Sequence, residues 1–187
     1  MTEPHASGAP AQAGTGSTAR PPAPAPGKLV PNARWMFGDP ARFIAMGFGS
    51  GLGKPAPGTW GTLFGWLSWV VWLQPLSTAM QALVLLTALV VGVLACQRAG
   101  RQLGEPDAGV FVIDEIVAIW LVLWLVPAHW SNQLVAVLVF RFFDILKPQP
   151  IRWMDRRWKN GAGVMLDDLV AAFYTLLLIA LIKRLFG

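Results

Sequence analysis

The feature that most restricts the fold of this chain is a run of 43 residues, Pro55 to Gln97, without one Asp, Glu, Lys or Arg. A single helix needs about 20 apolar residues to cross the hydrocarbon core of a bilayer. The run is therefore long enough for two spanning helices, and Pro75 divides it into candidates near 59–74 and 78–97. The whole chain is 55% hydrophobic and only 13% charged, whereas soluble domains are about 25% charged. Both observations predict an integral membrane protein.

Two more apolar segments extend this pattern. The 25 residues Ile116 to Phe140 carry no charge, and Pro127 with its polar neighbours predicts a turn in their middle. We therefore expect helices near 110–126 and 131–146, and a last helix near 167–185. The predicted fold is all-α, a polytopic membrane helical bundle of about five transmembrane helices, or four if one pair is only half-inserted.

The N-terminal segment differs in composition from the rest of the chain. Residues 1–27 hold six Pro, seven Ala and four Gly and no apolar core segment. Such a composition buries too little surface to order itself, so we predict a disordered tail that is dispensable for chemistry. Residues 28–187 are predicted to form one membrane-embedded domain.

The distribution of charge along the chain predicts the orientation of the helices. With the predicted spans, 13 of the 15 Lys and Arg residues fall on one side of the membrane, which the positive-inside rule makes cytoplasmic. The net charge of +5 does not indicate nucleic-acid binding, because the chain has no soluble module of basic and aromatic residues. Nine of the ten acidic residues fall on the same side: Asp39, Glu105, Asp107, Asp114, Glu115, Asp144, Asp155, Asp167 and Asp168.

Two acidic pairs are candidates for binding a cation at that membrane edge. Asp114-Glu115 is flanked by apolar residues, and Asp167-Asp168 precedes the last predicted helix. Carboxylates in such positions are costly unless they bind an ion or a substrate. The alternatives for the first pair are a helix start stabilised by its dipole or an ion pair with Arg98 or Arg101, and the alternative for the second pair is a helix cap. One Asp suffices for a cap, so the second pair favours a cation.

Basic residues near the third acidic position are candidates for binding phosphate. Arg141, Asp144 and Lys147 follow one another at intervals of three, which places them on one helix face. Arg152 lies with Asp155 in the basic loop that follows. These residues could hold a phosphate beside a metal ion; the alternatives are an intrahelical salt bridge and a loop that rests on anionic lipid.

The glycine-rich segment Gly47 to Thr59 precedes the first predicted span. Its backbone N–H groups and the helix start behind it could converge on an anion, with Gly49, Gly51 and Thr59 as candidate phosphate ligands. The segment is not a nucleotide-binding P-loop, because Pro55 replaces the required Ser or Thr. A flexible re-entry loop explains the glycines equally well.

Other nucleophiles are poorly placed for catalysis. His5 lies in the tail, His129 is predicted on the opposite side of the membrane, and the single cysteine, Cys96, lies within an apolar run. What remains for chemistry is a set of carboxylates, Arg and Lys side chains, and a hard cation.

Taken together, these segments resemble the phosphatidylglycerophosphatase A family. The resemblance covers about residues 35–185 in order. It rests on Gly47-Phe48-Gly49-Ser50-Gly51 through Pro57-Gly58-Thr59, on Asp114-Glu115, on Phe140-Arg141-Phe142-Phe143-Asp144 with Lys147-Pro148, on Pro150-Ile151-Arg152-Trp153 with Asp155-Arg156, and on Gly163-Val164-Met165 with Asp167-Asp168.

The resemblance implies an all-helical, Mg²⁺-dependent hydrolase of the bacterial inner membrane. Its phospholipid substrate is phosphatidylglycerophosphate, its products are phosphatidylglycerol and inorganic phosphate, and its active site faces the cytoplasm. The implied catalytic residues are Asp114, Glu115, Asp144 and Asp168, with Mg²⁺ held by some of Asp114, Glu115, Asp144, Asp167 and Asp168, and phosphate by Arg141, Lys147 and Arg152. Whether a carboxylate or a metal-activated water attacks phosphorus stays open, as does the oligomeric state.

Two alternatives to this function are a membrane phosphotransferase of phospholipid headgroups and a small non-enzymatic transporter subunit. The expected run of four spaced Asp residues of the first is absent from the sequence. The second would place charges near the middle of the bilayer rather than at one edge.

Overall fold

The computed structural model describes residues 30–149 and 151–186, without the side chains of residues 154–156 and 186. Every regular element within these residues is helical, which confirms the predicted all-α class. The elements are α1 (Ala33–Met36), α2 (Pro40–Ala45), a 3₁₀ segment (Gly47–Leu52), α3 (Pro57–Ser68) with a π-helical extension (Trp69–Leu73), α4 (Thr78–Leu103), α5 (Ile113–Leu125), α6 (Trp130–Leu146), α7 (Ile151–Arg157) and α8 (Gly161–Phe186). The predicted tail, residues 1–27, lies outside the described residues.

Helix α5 forms the centre of the bundle. Its side chains are buried almost all round, including Ile116, Ile119, Val122 and Leu123, as expected for a helix that is apolar on every face. Helices α3, α4, α6 and α8 pack around it. Because Asp114 and Glu115 lie in its first turn, the central helix places one acidic pair among the surrounding helices at one end of the bundle.

The start of α8 differs from the prediction. The helix begins at Gly161 rather than near residue 167, because the Asn160 side chain accepts a hydrogen bond from Gly163 N at 2.8 Å and thus provides the cap. The Gln97 side chain of α4 also accepts from Gly161 N at 2.8 Å. As a result Asp167 and Asp168 lie in the second turn of α8, where they are not needed as caps.

Two other helix ends also differ from the prediction. Helix α4 continues to Leu103, six residues beyond the predicted end, and stops where Gly104 adopts a left-handed conformation with φ of 73°. Helix α5 begins at Ile113 rather than near residue 110, because Val112 N donates to Ala45 O at 2.9 Å and so joins the chain before α5 to the end of α2.

Two helices, α4 and α8, are long and apolar enough to cross a bilayer by themselves. Helix α4 also turns an apolar row outwards, with Leu83, Leu86 and Leu94 each more than half exposed. These residues repeat at helical spacing and form one face. An uncovered apolar face of this kind suits contact with lipid. The other long helices of the described chain are shorter than the roughly 20 residues that a lone span requires.

Candidate functional site

Three helices bring acidic side chains to one end of the bundle. Asp114 lies in the first turn of α5, Asp144 in the last turn of α6, and Asp167 and Asp168 in the second turn of α8. One carboxylate oxygen from each of Asp114, Asp167 and Asp168 lies within 4.8 Å of the other two. We call these three residues the acidic cluster. Residues separated by more than 50 positions in the chain therefore come close enough to share one ion.

The connections between helices explain this convergence. A short turn at residues 126–129 joins α5 to α6, so the start of α5 and the end of α6 lie at the same end of the bundle. Helix α7 then packs against α8 and returns the chain so that α8 begins at that end as well. The apolar pattern of the sequence thus determines the positions of the helices along the chain, and the connections between them bring the charged ends of α5, α6 and α8 together.

Two basic side chains hold carboxylates of this site. Arg141 forms an ion pair with Asp144 one helical turn away, and its Nη1 lies 4.0 Å from Glu115 Oε1. Lys147 ends α6 in a left-handed conformation with φ of 41°, and its Nζ lies 2.6 Å from Asp167 Oδ2. Of the two basic residues that were predicted from the spacing on α6, Lys147 therefore contacts the acidic cluster, and Arg141 contacts Asp144 and Glu115.

Several polar atoms of the site are buried without a hydrogen-bond partner among the described residues. They are Asp114 Oδ1, Glu115 Oε2, Arg141 Nε and Asp168 Oδ2. A buried carboxylate oxygen without a partner is costly, because it loses its hydration and gains nothing in return. Hard cations such as Mg²⁺ prefer oxygen ligands. The residues present thus fit a divalent cation, and their unpartnered oxygens indicate where it would bind.

The first turns of α3 complete the surroundings of Arg141. Its Nη2 and Nη1 donate to the hydroxyls of Thr59 and Thr62, each at 3.4 Å. Thr62 Oγ1 in turn donates to Gly58 O at 2.9 Å. A Cβ on Gly58 would lie only 2.3 Å from Glu115 Oε1 and 3.1 Å from Arg141 Nη1. Gly58 therefore allows α3 to approach the Glu115 and Arg141 side chains closely.

Gly58 and Thr62 were missed as site residues by the sequence analysis. Thr62 lies three residues after Thr59, which places both hydroxyls on one face of the same helix. That spacing was the signal in the sequence from which Thr62 could have been predicted. The importance of Gly58 depends on contacts with α5 and α6, which no local pattern reveals.

The glycine-rich segment is ordered and packs against the chain before α5. A Cβ on Gly51 would lie 2.1 Å from Val110 O, whereas the nearest atoms to a Cβ on Gly49 belong to Met36. In this structure Gly51 thus serves close backbone packing, and Thr59 alone of the three predicted phosphate ligands on this segment contacts Arg141.

Arg152 lies at the rim of the site. Its side chain is exposed, and Nη2 donates to Leu146 O at 3.2 Å, beside the end of α6. A cation at a helix C-terminus is favourable because it meets the negative end of the helix dipole. The side chain of Asp155 lies outside the described part of the chain.

Asp39 forms a separate polar group at the start of α2. It caps that helix through Ala41 N at 2.9 Å and accepts from Gln102 at 2.8 Å and from Arg98 at 2.8 Å. The Gln102 and Arg98 hydrogen bonds, helped by the Ala41 amide, hold the pKa of Asp39 well below its usual range. With its carboxylate already satisfied by α4, Asp39 is an anchor between α2 and α4 rather than a cation ligand.

Buried carboxylates beside Arg141 and Lys147, at the end of an apolar helical bundle, are typical of proteins that bind metal ions or phosphate groups. The sequence comparisons identify the family. The model of the family described as Phosphatidylglycerophosphatase A matches residues 43–183.

Curated relatives agree with this match. A Phosphatidylglycerophosphatase A of Haemophilus influenzae is 40% identical over 146 residues, covering 78% of this chain and 90% of its own. Another of the same name from Escherichia coli is 35% identical over 145 residues, covering 77% and 84%. The chain belongs to the phosphatidylglycerophosphatase A family, as the sequence resemblance predicted. A relative from Bacteroides thetaiotaomicron, 36% identical and covered over 94% of its length, is provisionally named a phosphatidylinositol-3-phosphatase. Among solved structures, none matches this chain.

Proposed function

We propose that this protein hydrolyses the terminal phosphate of phosphatidylglycerophosphate in the presence of Mg²⁺, giving phosphatidylglycerol and inorganic phosphate in glycerophospholipid biosynthesis. The reaction joins a water-derived oxygen to phosphorus and breaks the ester bond to the glycerol oxygen, which takes a proton. Phosphate monoesters hydrolyse extremely slowly without a catalyst. The catalyst must therefore supply strong stabilisation of negative charge at the phosphoryl group.

The observation that carries the proposal is the acidic cluster beside two cations. Carboxylate oxygens of Asp114, Asp167 and Asp168 lie within 4.8 Å of one another. Lys147 pairs with Asp167 of this cluster, and Arg141 pairs with the neighbouring Asp144. Adjacent negative and positive groups suit a ligand that combines a metal ion with a phosphate. The proposed catalytic residues are Asp114, Glu115, Asp144 and Asp168.

Mg²⁺ would be held by Asp114, Asp167 and Asp168, with Glu115 and Asp144 near enough to interact with Asp168 electrostatically. When bound, a divalent cation polarises phosphoryl oxygens and makes water a better nucleophile. The buried, partnerless oxygens of Asp114 and Asp168 support this assignment, because a cation would relieve their desolvation.

The protein's own cations would bind the substrate phosphate. Arg141 presents a planar fork of donors next to the Thr59 hydroxyl, a geometry suited to phosphate oxygens. The N-terminus of α3 would add the positive end of its helix dipole. Ala56 provides no side-chain cap at this N-terminus, so no side chain there competes with a phosphate for its N–H groups. Lys147 would orient the phosphate from the side of α6, and Arg152 would attract it at the rim.

The proposed location is the bacterial inner membrane, with five spans and the acidic cluster on the cytoplasmic face. A phospholipid keeps its acyl chains in the leaflet, so its phosphate lies at the depth of the helix ends. This orientation is supported by the distribution of Lys and Arg, because 13 of the 15 in the chain fall on the proposed cytoplasmic side. The shorter helices α3, α5 and α6 would cross with their ends in the headgroup region. Helix α5 is surrounded by its neighbours, whereas α3 packs on α5 and α6, and α6 packs on α8.

The proposal is tested by release of inorganic phosphate from phosphatidylglycerophosphate by the purified protein in detergent. We expect turnover with Mg²⁺ and its loss after addition of EDTA, restored by excess Mg²⁺. Phosphatidylinositol 3-phosphate is assayed in parallel, because one relative is named for that activity. Absence of phosphate release from phosphatidylglycerophosphate under every divalent metal would overturn the proposal, and faster release from the inositol lipid would redirect it.

A further inference from the structure

The Thr62 hydroxyl is a fully buried polar group that contacts Arg141. A hydroxyl has one hydrogen to donate and two lone pairs that accept. Thr62 Oγ1 gives its hydrogen to Gly58 O, four residues earlier on α3, at 2.9 Å. Towards its other neighbours Thr62 can therefore only accept, and it accepts from Arg141 Nη1 at 3.4 Å. A hydroxyl in this state has no hydrogen left for a phosphate oxygen, so any role in the site is exerted through Arg141.

Arg141 Nη1 is held from two different helices. Asp144 lies one turn further along α6, the helix that carries Arg141 itself, whereas Thr62 belongs to α3. The ion pair within α6 by itself leaves the two side chains free to move together. A second acceptor on a separate helix fixes the rotation of the planar guanidinium as well as its position.

A nearby carboxylate makes this second acceptor important. Glu115 Oε1 lies 4.0 Å from Arg141 Nη1, and Glu115 Oε2 is buried without a hydrogen-bond partner among the described residues. Opposite charges at this distance attract strongly where water is excluded. Without the Thr62 oxygen, the guanidinium would be free to turn towards Glu115.

The contacts of Arg141 leave one edge of the guanidinium for a ligand. The group has five N–H hydrogens. Asp144 and Thr62 bind Nη1, and Thr59 accepts from Nη2 at 3.4 Å. Nε is buried and has no partner in the described part of the chain. The edge formed by Nε and Nη2 thus keeps two hydrogens, the number that a bidentate phosphate contact uses.

We propose that Thr62 is a positioning residue that holds Arg141 with its Nε and Nη2 edge turned towards the substrate phosphate. The inference rests on the proposed function and adds a residue that determines the orientation of the phosphate-binding side chain. The positive charge comes from Arg141. Thr62 contributes the direction in which the donors of Arg141 point, which matters because phosphoryl transfer depends on exact placement of the reacting group.

The test is phosphate release from phosphatidylglycerophosphate by Thr62→Val and Thr62→Ser. Valine keeps the shape of threonine and leaves Arg141 and its charge in place, so the lipid should still bind. We expect kcat to fall about tenfold in Thr62→Val, with KM changed less than about threefold. Serine retains the hydroxyl, so kcat in Thr62→Ser should stay within about threefold of wild type.

Thr175→Val is the matched control. Thr175 is also fully buried, and its hydroxyl donates to Ala171 O, four residues earlier on α8, at 2.9 Å. Both valine variants lose the same kind of helical hydrogen bond and should lower the thermal unfolding midpoint to a similar extent. Only Thr62→Val also removes an acceptor from Arg141, so kcat in Thr175→Val should match wild type. Thr62→Ala replaces Thr62→Val if the valine variant does not fold.

The other outcomes count against the inference. Wild-type kcat in Thr62→Val would overturn it and leave the proposed function intact. An equal loss in Thr175→Val, or a loss in Thr62→Ser as large as that in Thr62→Val, would reduce Thr62 to a packing role. A rise in KM with kcat unchanged would make its contribution one of lipid binding alone. Wild-type protein that releases no phosphate would overturn the proposed function, and the role of Thr62 with it.

Discussion

Of the four Asp residues at the proposed site, Asp114 and Asp168 receive the least stabilisation from hydrogen bonds and ion pairs with other protein groups. Each is buried, with a carboxylate oxygen that lacks a hydrogen-bond partner in the described chain, whereas Asp144 pairs with Arg141 and Asp167 with Lys147. Desolvated charge without a partner is costly in any fold. Positions of this kind are therefore where a bound cation contributes most.

At the scale of single residues, Asp114→Asn and Asp168→Asn should each reduce kcat by at least about 100-fold, or about 2.7 kcal/mol in activation free energy, because each removes an anionic ligand. Phosphate release is measured beside Asp107→Asn, which changes an acidic side chain that is 39% exposed and paired with Lys159. The control should keep near-normal activity. Wild-type turnover in either site variant, with the protein folded, would exclude that residue from the site.

At the scale of helices, the sequence predicted the apolar cores better than the ends. The two charge-free runs, each divided by a turn, correspond to most of α3 with its π-helical extension, α4, α5 and α6. The start of α8 was placed six residues late, because Asn160 provides the cap that the sequence analysis considered for the aspartates. Caps depend on single side-chain hydrogen bonds, so a hydropathy pattern cannot specify them.

The sequence predicted only part of the candidate site, and the packing between helices explains why. Charge and spacing alone suggested Asp114, Asp168 and Arg141, because charged residues stand out in apolar helices. Gly58 contacts Glu115 and Arg141 only through the packing of α3 on α5 and α6. That approach is a tertiary property, and the glycine-rich pattern gave no means of distinguishing Gly58 from Gly51.

Gly58→Ala tests the close approach of α3. Alanine favours a helix over glycine by about 1 kcal/mol, yet its Cβ would lie 2.3 Å from Glu115 Oε1. Glu115 must then move, so kcat/KM should fall by roughly tenfold or more. Gly109→Ala is the matched control, since a Cβ there meets nothing within 4 Å. Equal activity in the two variants would contradict a role for this contact.

At the scale of the whole molecule, the acidic cluster and the turns near residues 74–77 and 126–129 lie at opposite ends of the helices that connect them. If the acidic cluster faces the cytoplasm, Ser77 and Ser131 must face the other side. The native Cys96 is buried and should give little background in thiol labelling.

Ser77→Cys and Ser131→Cys should therefore react with a membrane-impermeant maleimide added to intact spheroplasts. Lys54→Cys, an exposed position on the predicted cytoplasmic side, should react only after the membrane is opened. Labelling of Ser131→Cys only after opening would contradict the five-span topology and favour a half-inserted pair formed by α5 and α6.

The central claim is that carboxylates from α5 and α8 hold one divalent cation site. Electron paramagnetic resonance of Mn²⁺ measures this directly in the purified protein, without any dependence on turnover. The account predicts bound Mn²⁺ that Mg²⁺ displaces, an affinity at least about tenfold weaker in Asp114→Asn and Asp168→Asn, and unchanged binding in Asp107→Asn. Wild-type protein that binds no Mn²⁺, or Asp114→Asn and Asp168→Asn variants that bind it as tightly as wild type, would contradict the claim.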